Sequence, residues 1–458
     1  MAFFMGALIM AAPRRVFIVT FGCQMNEYDS GRLADLLAAR GWRASATKEE
    51  ADLIFFNTCS VRAKAAGRVL NHLEEVRALK KRKPSLIVAV GGCVAEQEGQ
   101  ALLDRAPWLD LVAGPQHLPL LPDILEEFER SGRRILTGQG RQPAWSRANL
   151  EALAVPVLPA RAPALTAGVT IMQGCDNYCA YCVVPYLRGP ELSRPAGEIL
   201  EEAAGLLAGG ARDITLLGQN VNSYGRGQAG GFPALLLAMA ELGVERLRFI
   251  TSHPKDFSPE LVELFAGLPA LGDSLHLPLQ SGSEAILKAM GRGYGRERYL
   301  GLVKALRRAR PGLALSTDVI VGFPGETEAD FQATMDLVEI VGFDSMFSFK
   351  YSDRPGVAAA GFPNKVPEEE KARRLTRLQA RQKAISLARN EAHIGQVLEV
   401  LVERASSRRP GQLTGRARNF KLVHFDGPRD LIGLLVPVLI TAAGPASLQG
   451  QAAQPGKT

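Results

Sequence analysis

The chain has 458 residues, of which 47% are hydrophobic and 22% are charged, and its formal net charge is +7. This composition excludes a disordered chain and allows two or three globular domains. No apolar run reaches the roughly eighteen residues of a membrane span, and the N-terminal segment lacks the basic leader of a secretory signal. We therefore expect a globular protein of several domains that does not enter a membrane.

The first part of the sequence alternates strand-like apolar runs with helix-like stretches. Strands are predicted at Val16–Thr20, Leu53–Asn57 and Leu86–Val90, and helices at Asp29–Arg40 and 61–80. This alternation is typical of a parallel α/β sheet, which we assign to a domain of residues 13–137.

One cysteine follows each of these three strands. Cys23, Cys59 and Cys93 are separated by 36 and 34 residues, about the length of one βαβ unit. A single cysteine after an apolar strand is usually a small buried side chain. Because the carboxyl ends of parallel strands meet at one edge of a sheet, three cysteines in equivalent positions favour a shared three-ligand site instead.

Three further cysteines lie in the stretch Gln173-Gly-Cys-Asp-Asn-Tyr-Cys-Ala-Tyr-Cys182. Three thiolates so spaced suit the corners of a 4Fe-4S cube and leave one iron open to another ligand. Zinc would normally need a further pair of ligands, which is not found nearby, and a purely structural cysteine cluster is the other alternative. Thiolates kept for iron need a reducing compartment, which indicates the cytoplasm.

A stretch rich in Pro, Ala and Gln, residues 138–163, is predicted to be a linker. Beyond it, the alternation of strands and helices resumes on a larger scale in a domain of residues 164–392. That domain ends in a long basic helix predicted from Glu368 to Ala392. Six parallel strands are predicted at Gly168–Ile171, Asp213–Leu217, Arg246–Ile250, Ser274–Leu277, Ala314–Val321 and Asp344–Phe349.

Four motifs resemble the radical S-adenosylmethionine (SAM) methylthiotransferases, and most closely those of the tRNA-modifying MiaB type. They lie at Phe21–Ser30, Cys182–Pro195, Leu217–Gly225 and His276–Ser283, and the similarity extends from about Val16 to Gly450. The resemblance implies that the six strands form a partial (βα)6 barrel with its chemistry at the C-terminal strand ends.

The resemblance also implies two 4Fe-4S clusters and SAM as cofactors. Cys175, Cys179 and Cys182 would hold the cluster that binds SAM and generates a 5′-deoxyadenosyl radical. The auxiliary cluster, on Cys23, Cys59 and Cys93, would present the sulfur, and one SAM would supply the methyl group. All six cysteines are thus both metal ligands and catalytic residues.

The substrate implied by the resemblance is N6-isopentenyladenosine at position 37 of tRNA, beside the anticodon, with a reductant such as flavodoxin or ferredoxin and a monomeric enzyme. Related enzymes modify an aspartate of ribosomal protein S12 or threonylcarbamoyladenosine in tRNA, and both stay open as alternatives. A non-catalytic iron–sulfur protein that binds RNA or transfers electrons is the alternative from another class.

The residues predicted to contact SAM follow the strands of the second domain. Tyr181 is expected to face the adenine, although it could instead only shield the cluster. Glycines after the strand that contains Asp318 permit close approach of a ligand. His253 and His276 are not assigned a catalytic role, because a histidine at a strand end is usually a structural hydrogen bonder. The predicted cofactor contacts are Tyr181, Gln219, Asn220, Ser281, Asp318 and Gly322.

The C-terminal segment, residues 393–450, resembles the RNA-binding TRAM domain, a small β-barrel of about five strands, and 451–458 is a short tail. Residues 365–450 hold 15 Lys or Arg against 8 Asp or Glu, whereas the first 364 residues net about −1. A solvated basic surface could explain this charge, but it is also expected of a polyanion site. The predicted RNA contacts are Arg416, Arg418, Phe420 and Lys421, with strands predicted at Gln396–Val402, Gln412–Ala417, Lys421–Phe425 and Leu435–Ile440.

Overall fold

The computed structural model divides the chain into two compact units, Met1–Ala160 and Arg161–Thr458. The predicted linker, 138–163, lies outside the described residues, so the domain boundary within it stays a prediction. The described residues are 13–60, 63–132, 134–137, 164–227, 230–407 and 409–453.

The first unit contains a six-stranded parallel sheet in the order β2-β1-β3-β4-β5-β6, which confirms the predicted parallel α/β sheet. Its strands are β1 (Arg15–Thr20), β2 (Arg43–Ala44), β3 (Leu53–Thr58), β4 (Ile87–Gly92), β5 (Leu111–Ala113) and β6 (Arg134–Leu136). Its helices are α1 (Gln24–Ala39), α2 (Ala63–Arg82), α3 (Cys93–Glu98), α4 (Gln100–Arg105) and α5 (Leu121–Ser131).

Alternate residues of the buried strand β3 pack on opposite faces of this sheet. Phe55 packs with Leu37 of α1, whereas Phe56 packs with Leu73 of α2. Burial on both faces explains why β3 is a continuous apolar run rather than an alternating one. The two faces together fix the sheet between helices, with the carboxyl ends of its strands at one edge.

Helix α1 begins five residues before its predicted start at Asp29. Cys23 is its N-cap, and Asn26 closes a capping box with the backbone and side chain of Cys23. Asp and Ser are the usual N-cap residues, so Asp29 resembled the start of the helix. Both Asp29 and Ser30 are instead buried within α1.

The second unit contains the six predicted parallel strands, together with a short antiparallel pair formed by β8 (Met172–Gln173) and β9 (Leu192–Ser193). The six strands are β7 (Thr166–Thr170), β10 (Asp213–Leu217), β11 (Arg246–Phe249), β12 (Ser274–His276), β13 (Ala314–Val321) and β14 (Ser345–Lys350). Their helices are α6 (Val184–Arg188), α7 (Ala196–Ala208), α8 (Gly231–Glu241), α9 (Pro259–Gly267), α10 (Glu284–Ala289), α11 (Arg296–Ala309), α12 (Glu328–Val341) and α13 (Glu368–Glu391).

These six strands form two three-stranded parallel halves, β7-β10-β11 and β12-β13-β14. Leu247 of β11 forms an isolated parallel bridge with Leu271, which lies just before β12, and this bridge connects the two halves. One apolar core runs continuously from Val169 to Ile385 through both halves and the helices outside them. The predicted partial (βα)6 barrel is thereby confirmed.

Residues 397–452 form a closed barrel of five strands in the order β15-β16-β17-β19-β18, which confirms the predicted small all-β module. Its strands are β15 (Val397–Ala405), β16 (Gln412–Ala417), β17 (Leu422–Asp426), β18 (Leu435–Ala443) and β19 (Leu448–Ala452). β19 was not predicted, and it extends two residues beyond the predicted domain end at 450.

Within the described part of the chain, no helix combines the length and apolar character needed to cross a membrane. The longest of the described helices, α13, is rich in charged residues and packs against β14.

Candidate active site

The carboxyl ends of β1, β3 and β4 bring Cys23, Cys59 and Cys93 to one edge of the first sheet. The three strands are neighbours, and Cys59 and Cys93 directly follow β3 and β4. A Cβ atom on Gly22 would lie 2.5 Å from the Cβ of Cys59, so the turn before Cys23 runs against Cys59. Cys23 is exposed, whereas Cys59 and Cys93 are buried.

Gly92 allows the second close approach at this edge. It has φ of +90°, and a Cβ atom there would lie 2.4 Å from the carbonyl oxygen of Thr58. An L side chain would be both strained and in collision with backbone at this position. The chain can therefore turn from β4 directly into α3 and place Cys93 beside the end of β3.

Two buried asparagines, which sequence reasoning did not single out, tie this edge together. Asn26 Nδ2 donates to Asn57 Oδ1 at 3.0 Å and to the carbonyl of Thr58 at 3.1 Å. Asn57 Nδ2 donates back to the carbonyl of Asn26 at 2.9 Å, and Asn26 Oδ1 lies 3.3 Å from the sulfur of Cys23. The only sequence signal was an asparagine three residues after Cys23 and another at the end of an apolar strand.

The second cysteine loop, Cys175–Cys182, follows β8 and is held on both sides by backbone hydrogen bonds. The amide of Cys175 donates to the carbonyl of Gly189, 3.2 Å away. The amide of Ala180 donates to Met290, and its carbonyl accepts from Ala359, at 2.9 and 2.8 Å. Distant segments of the barrel therefore fix the conformation of this loop.

Burial makes the thiolate forms of this loop unfavourable in the bare protein. Desolvation, followed by the neighbouring Cys179, raises the pKa of Cys182 to about 12. Desolvation likewise raises the pKa of Cys175, and Cys179 contributes in the same direction. Three mutually repelling thiolates need a cationic partner, and the irons of a 4Fe-4S cluster supply one.

Among the residues that the structure describes, no three His, Cys, Asp or Glu side chains are placed to hold one metal ion.

Four side chains near the ends of β8, β10 and β11 carry buried polar atoms without a hydrogen-bond partner. Both amide atoms of Gln219 are unpaired, as are Gln173 Oε1, Asn220 Oδ1 and His253 Nε2. Such groups cost free energy unless a ligand satisfies them. This edge of the barrel therefore fits a ligand with several hydrogen-bonding groups, as SAM has.

His253 belongs to this set, although no role was predicted for it from the sequence. Desolvation, followed by the charges of Arg292 and Lys255, lowers its pKa to about 2, so the ring is neutral. Its Nδ1 accepts from the amide of Lys255 at 3.2 Å. The proton of the neutral ring is therefore on Nε2, which makes the unpaired atom a donor.

The other residues predicted to contact SAM differ in how many of their own groups are already engaged by neighbouring residues of the protein. Tyr181 packs edge-on against Phe323, with ring centroids 6.5 Å apart. Asp318 is partly exposed, and one of its oxygens lies 3.2 Å from His276 Nε2. Ser281 is buried and bonds to the hydroxyl of Thr334, which gives it a structural role.

Gly322 lies against a side chain rather than open space. Its φ is +73°, and a Cβ atom there would lie 2.3 Å from Cγ of Lys371. Its amide donates to Glu326 at 2.8 Å, and Glu326 in turn pairs with Arg374. The turn at Gly322 thus packs on α13, and nothing in its contacts singles out a ligand.

The four predicted RNA contacts lie at the opposite, N-terminal end of the barrel strands. Arg418 bonds to Asp273 and to the carbonyl of Leu271, and Lys421 bonds to Asp344. Asp273 and Asp344 immediately precede β12 and β14, so the turn between β16 and β17 closes the base of the barrel. The structure thus uses these cations to join the two modules of the second unit.

The ring of Phe420 packs against two arginines in the same interface. The guanidinium carbons of Arg248 and Arg416 lie 3.8 and 4.2 Å from its ring centroid. Arg416 also pairs with Glu403 at 3.3 Å. Phe420 adopts φ of +65°, a strained conformation for an aromatic residue, which this packing maintains. RNA binding by these four residues stays a prediction, and their contacts give them a structural role.

Relatives of known name share nearly the whole chain. A protein of Syntrophobacter fumaroxidans named tRNA-2-methylthio-N(6)-dimethylallyladenosine synthase is 50% identical over 97% of both chains. One of the same name from Chromobacterium violaceum is 48% identical over 96% of this chain and 98% of its own. This chain belongs to that family.

Three family models match successive parts of the chain. Residues 15–114 match uncharacterized protein family UPF0004, residues 169–338 match the radical SAM superfamily, and residues 391–453 match the TRAM domain. Membership of the radical SAM superfamily implies a 4Fe-4S cluster and SAM as cofactors. The resemblance to the radical SAM methylthiotransferases is therefore confirmed.

Two solved radical SAM structures share the fold. The methyltransferase TsrM of Kitasatospora setae, with cobalamin and a 4Fe-4S cluster bound, has a TM-score of 0.55 at 16% identity and covers 76% of this chain and 74% of its own. The cobalamin-dependent enzyme OxsB has a TM-score of 0.51 at 13% identity and covers 81% of this chain and 56% of its own. At these identities the likeness concerns the fold alone.

Proposed function

We propose that this protein converts N6-isopentenyladenosine at position 37 of tRNA to its 2-methylthio derivative. The observation that carries the proposal is the presence of two three-cysteine sets, one at the carboxyl edge of the first sheet and the other in the loop after β8. The name shared by the full-length relatives favours this substrate over ribosomal protein S12 and over threonylcarbamoyladenosine.

Cys175, Cys179 and Cys182 would hold the 4Fe-4S cluster that superfamily membership implies. When bound, such a cluster with an open iron supplies the electron that cleaves SAM into methionine and the 5′-deoxyadenosyl radical. The chain's own contribution is to fix the cysteine loop and to present unpaired polar atoms of Gln219 and His253 to SAM. Radical chemistry suits the substrate because the C2–H bond of adenine is neither acidic nor electrophilic.

Cys23, Cys59 and Cys93 would hold a second cluster, which serves as the source of sulfur. The support is their convergence at one sheet edge and the buried network of Asn26 and Asn57 that fixes it. A set of only three protein ligands again leaves one iron open. The methyl group would come from one molecule of SAM and the radical from another.

A row of side chains across β12, β13 and β14 would receive the base. His276, Asp318 and Phe347 lie on these neighbouring strands, and the rings of His276 and Phe347 are 6.2 Å apart. Phe347 lies on β14, an edge strand of its half of the barrel, and is 54% exposed, so its ring is accessible to a ligand. Splaying an exposed loop base onto an aromatic ring costs little free energy.

Anaerobic reconstitution tests the proposal directly. The full chain should hold about eight irons, as two 4Fe-4S clusters, and the variant with Ala at Cys175, Cys179 and Cys182 should hold about four. Incubation with SAM, dithionite and tRNA carrying the isopentenyl group should add one methylthio group, as detected by nucleoside mass spectrometry. A protein that binds iron and tRNA but neither cleaves SAM nor changes the nucleoside would be the non-catalytic alternative.

The physiological reductant, the monomeric state and the cytoplasmic location stay predictions. The match to the TRAM domain supports a tRNA-binding role for the small barrel. Because Arg418 and Lys421 are engaged within the protein, we propose that other cations of this module, among them the exposed Arg409 and Arg404, contact the RNA.

A further inference from the structure

Arg292 is a buried arginine whose guanidinium faces the second cysteine loop. It lies in the turn between α10 and α11 and is 5% exposed. Its Nη1 is 3.4 Å from the sulfur of Cys179 and 3.5 Å from the hydroxyl of Tyr181. Its Nε is 3.3 Å from the hydroxyl of Tyr294, and its Nη2 is 3.4 Å from the carbonyl of Pro278.

This arginine differs in its partners from two other buried arginines of the second unit. Arg374 pairs with Glu326 at 2.7 Å, and Arg194 pairs with Glu202 at 2.8 Å. Across the described ranges, no Asp or Glu forms an ion pair with Arg292, whose contacts are a thiol, two phenols and a carbonyl. A guanidinium is always charged, and a buried charge without a counter-ion is costly.

The anion that would compensate Arg292 is therefore the thiolate of Cys179 and the cluster that it ligates. A hydrogen bond and a positive charge at a ligating sulfur stabilise the more negative, reduced state of an iron–sulfur cluster. We propose that Arg292 acts through Cys179 as a positioning residue that raises the reduction potential of the SAM-binding cluster. The proposal rests on the assignment of this cluster in the proposed function.

A potentiometric titration of the cluster tests this role without reference to turnover. The parent protein is the full chain with Ala at Cys23, Cys59 and Cys93, so that only the second loop holds iron. Dithionite adds one electron to the cluster, and its electron paramagnetic resonance signal is followed against applied potential without SAM. Omitting SAM removes any direct contact between Arg292 and SAM from the result.

Arg292→Met should shift the midpoint potential to more negative values, and Arg292→Lys should lie between it and the parent. Arg246→Met is the matched control, because Arg246 is 3% exposed and lies at the opposite end of the barrel strands. It should leave the potential unchanged. If Arg292→Met binds no iron, the midpoint potential of Arg292→Lys decides the question. A potential more negative than that of the parent supports the role of Arg292, and an unchanged potential overturns it.

Potentials of the Arg292 variants equal to that of the parent, with four irons bound, would overturn the role of Arg292 and leave the cluster assignment intact. A parent that binds no iron would instead overturn the cluster assignment, and this proposal with it.

Discussion

Lys421 and Asp344 form a buried ion pair that joins the small β-barrel to the base of the radical SAM barrel. The ammonium lies 2.7 Å from Asp344 Oδ1 and 2.7 Å from Asn390 Oδ1, and the two charged side chains are only 8% and 11% exposed. The sequence of this basic turn resembles an RNA contact, but its Lys421 instead binds residues of the protein itself.

Lys421→Met should destabilise the second unit by about 1–3 kcal/mol, because it leaves buried polar groups of Asp344 and Asn390 without their donor. Urea unfolding measures this loss. The same variant should leave the salt dependence of tRNA binding unchanged, whereas a lysine on a phosphate would lower the slope by about one. The exposed Arg409, changed to Met, is the matched control for stability. A lower slope of the salt dependence in Lys421→Met would show that Lys421 contacts the RNA.

Gly92→Ala should impair the first cysteine site through both its φ of +90° and its collision with the Thr58 carbonyl. Gly41→Ala is a matched control, since Gly41 has φ of +82° and no atom within 4 Å of the added Cβ. We expect iron bound by the first unit to fall in Gly92→Ala and to be retained in Gly41→Ala. Equal iron contents would show that the turn tolerates a side chain.

Replacing Cys23, Cys59 and Cys93 by Ala should abolish methylthiolation and spare the reductive cleavage of SAM to 5′-deoxyadenosine. The reason is that the two cysteine sets lie in different units of the chain. Chromatography of the nucleoside products and of 5′-deoxyadenosine measures both outcomes in one reaction. Loss of SAM cleavage with the second loop still holding iron would mean that the first unit does more than supply sulfur.

His253 should make the protein less stable as pH falls below about 6.5. In the unfolded chain the ring takes up a proton near pH 6.5, whereas the folded ring has a pKa of about 2. The unfolded state therefore binds the extra proton, and the free energy of unfolding falls by about 1.4 kcal/mol per pH unit from this group.

Urea unfolding between pH 7.5 and 5.5 measures this contribution. His253→Gln should flatten the dependence on pH, and the same change at His72, a partly exposed residue of α2, controls for the substitution itself. Identical slopes for the wild type and His253→Gln would contradict the buried, neutral state of this ring.

Phe347→Ala should weaken binding of tRNA that carries the isopentenyl group by about 1–3 kcal/mol if its ring stacks on the base. Ile340→Ala is the control, because Ile340 is another exposed apolar residue, at 59%, but lies on helix α12. Affinities measured by fluorescence anisotropy should differ between the two variants. Equal affinities of the two variants would show that the base does not stack on the face of β14.

The sequence by itself predicted β1, β3 and β4 of the first sheet and the six strands of the barrel, together with the positions of the cysteines relative to them, but not β2, β5 and β6. Apolar periodicity is a local property, so β3, β13 and the placement of Cys59 and Cys93 after their strands followed from short stretches of chain. β19 was missed because Leu448–Ala452 reads Leu-Gln-Gly-Gln-Ala, which has little strand character alone and depends on pairing with β17 and β18.

The tertiary structure alone decided which charges are used inside the protein. Arg292 meets Cys179 across 113 residues, and Lys421 meets Asp344 across 77. Such partners are brought together only when the strands close into a barrel, and no local pattern encodes that closure. A basic turn with an aromatic ring therefore looks the same in the sequence whether it faces RNA or seals the base of a barrel.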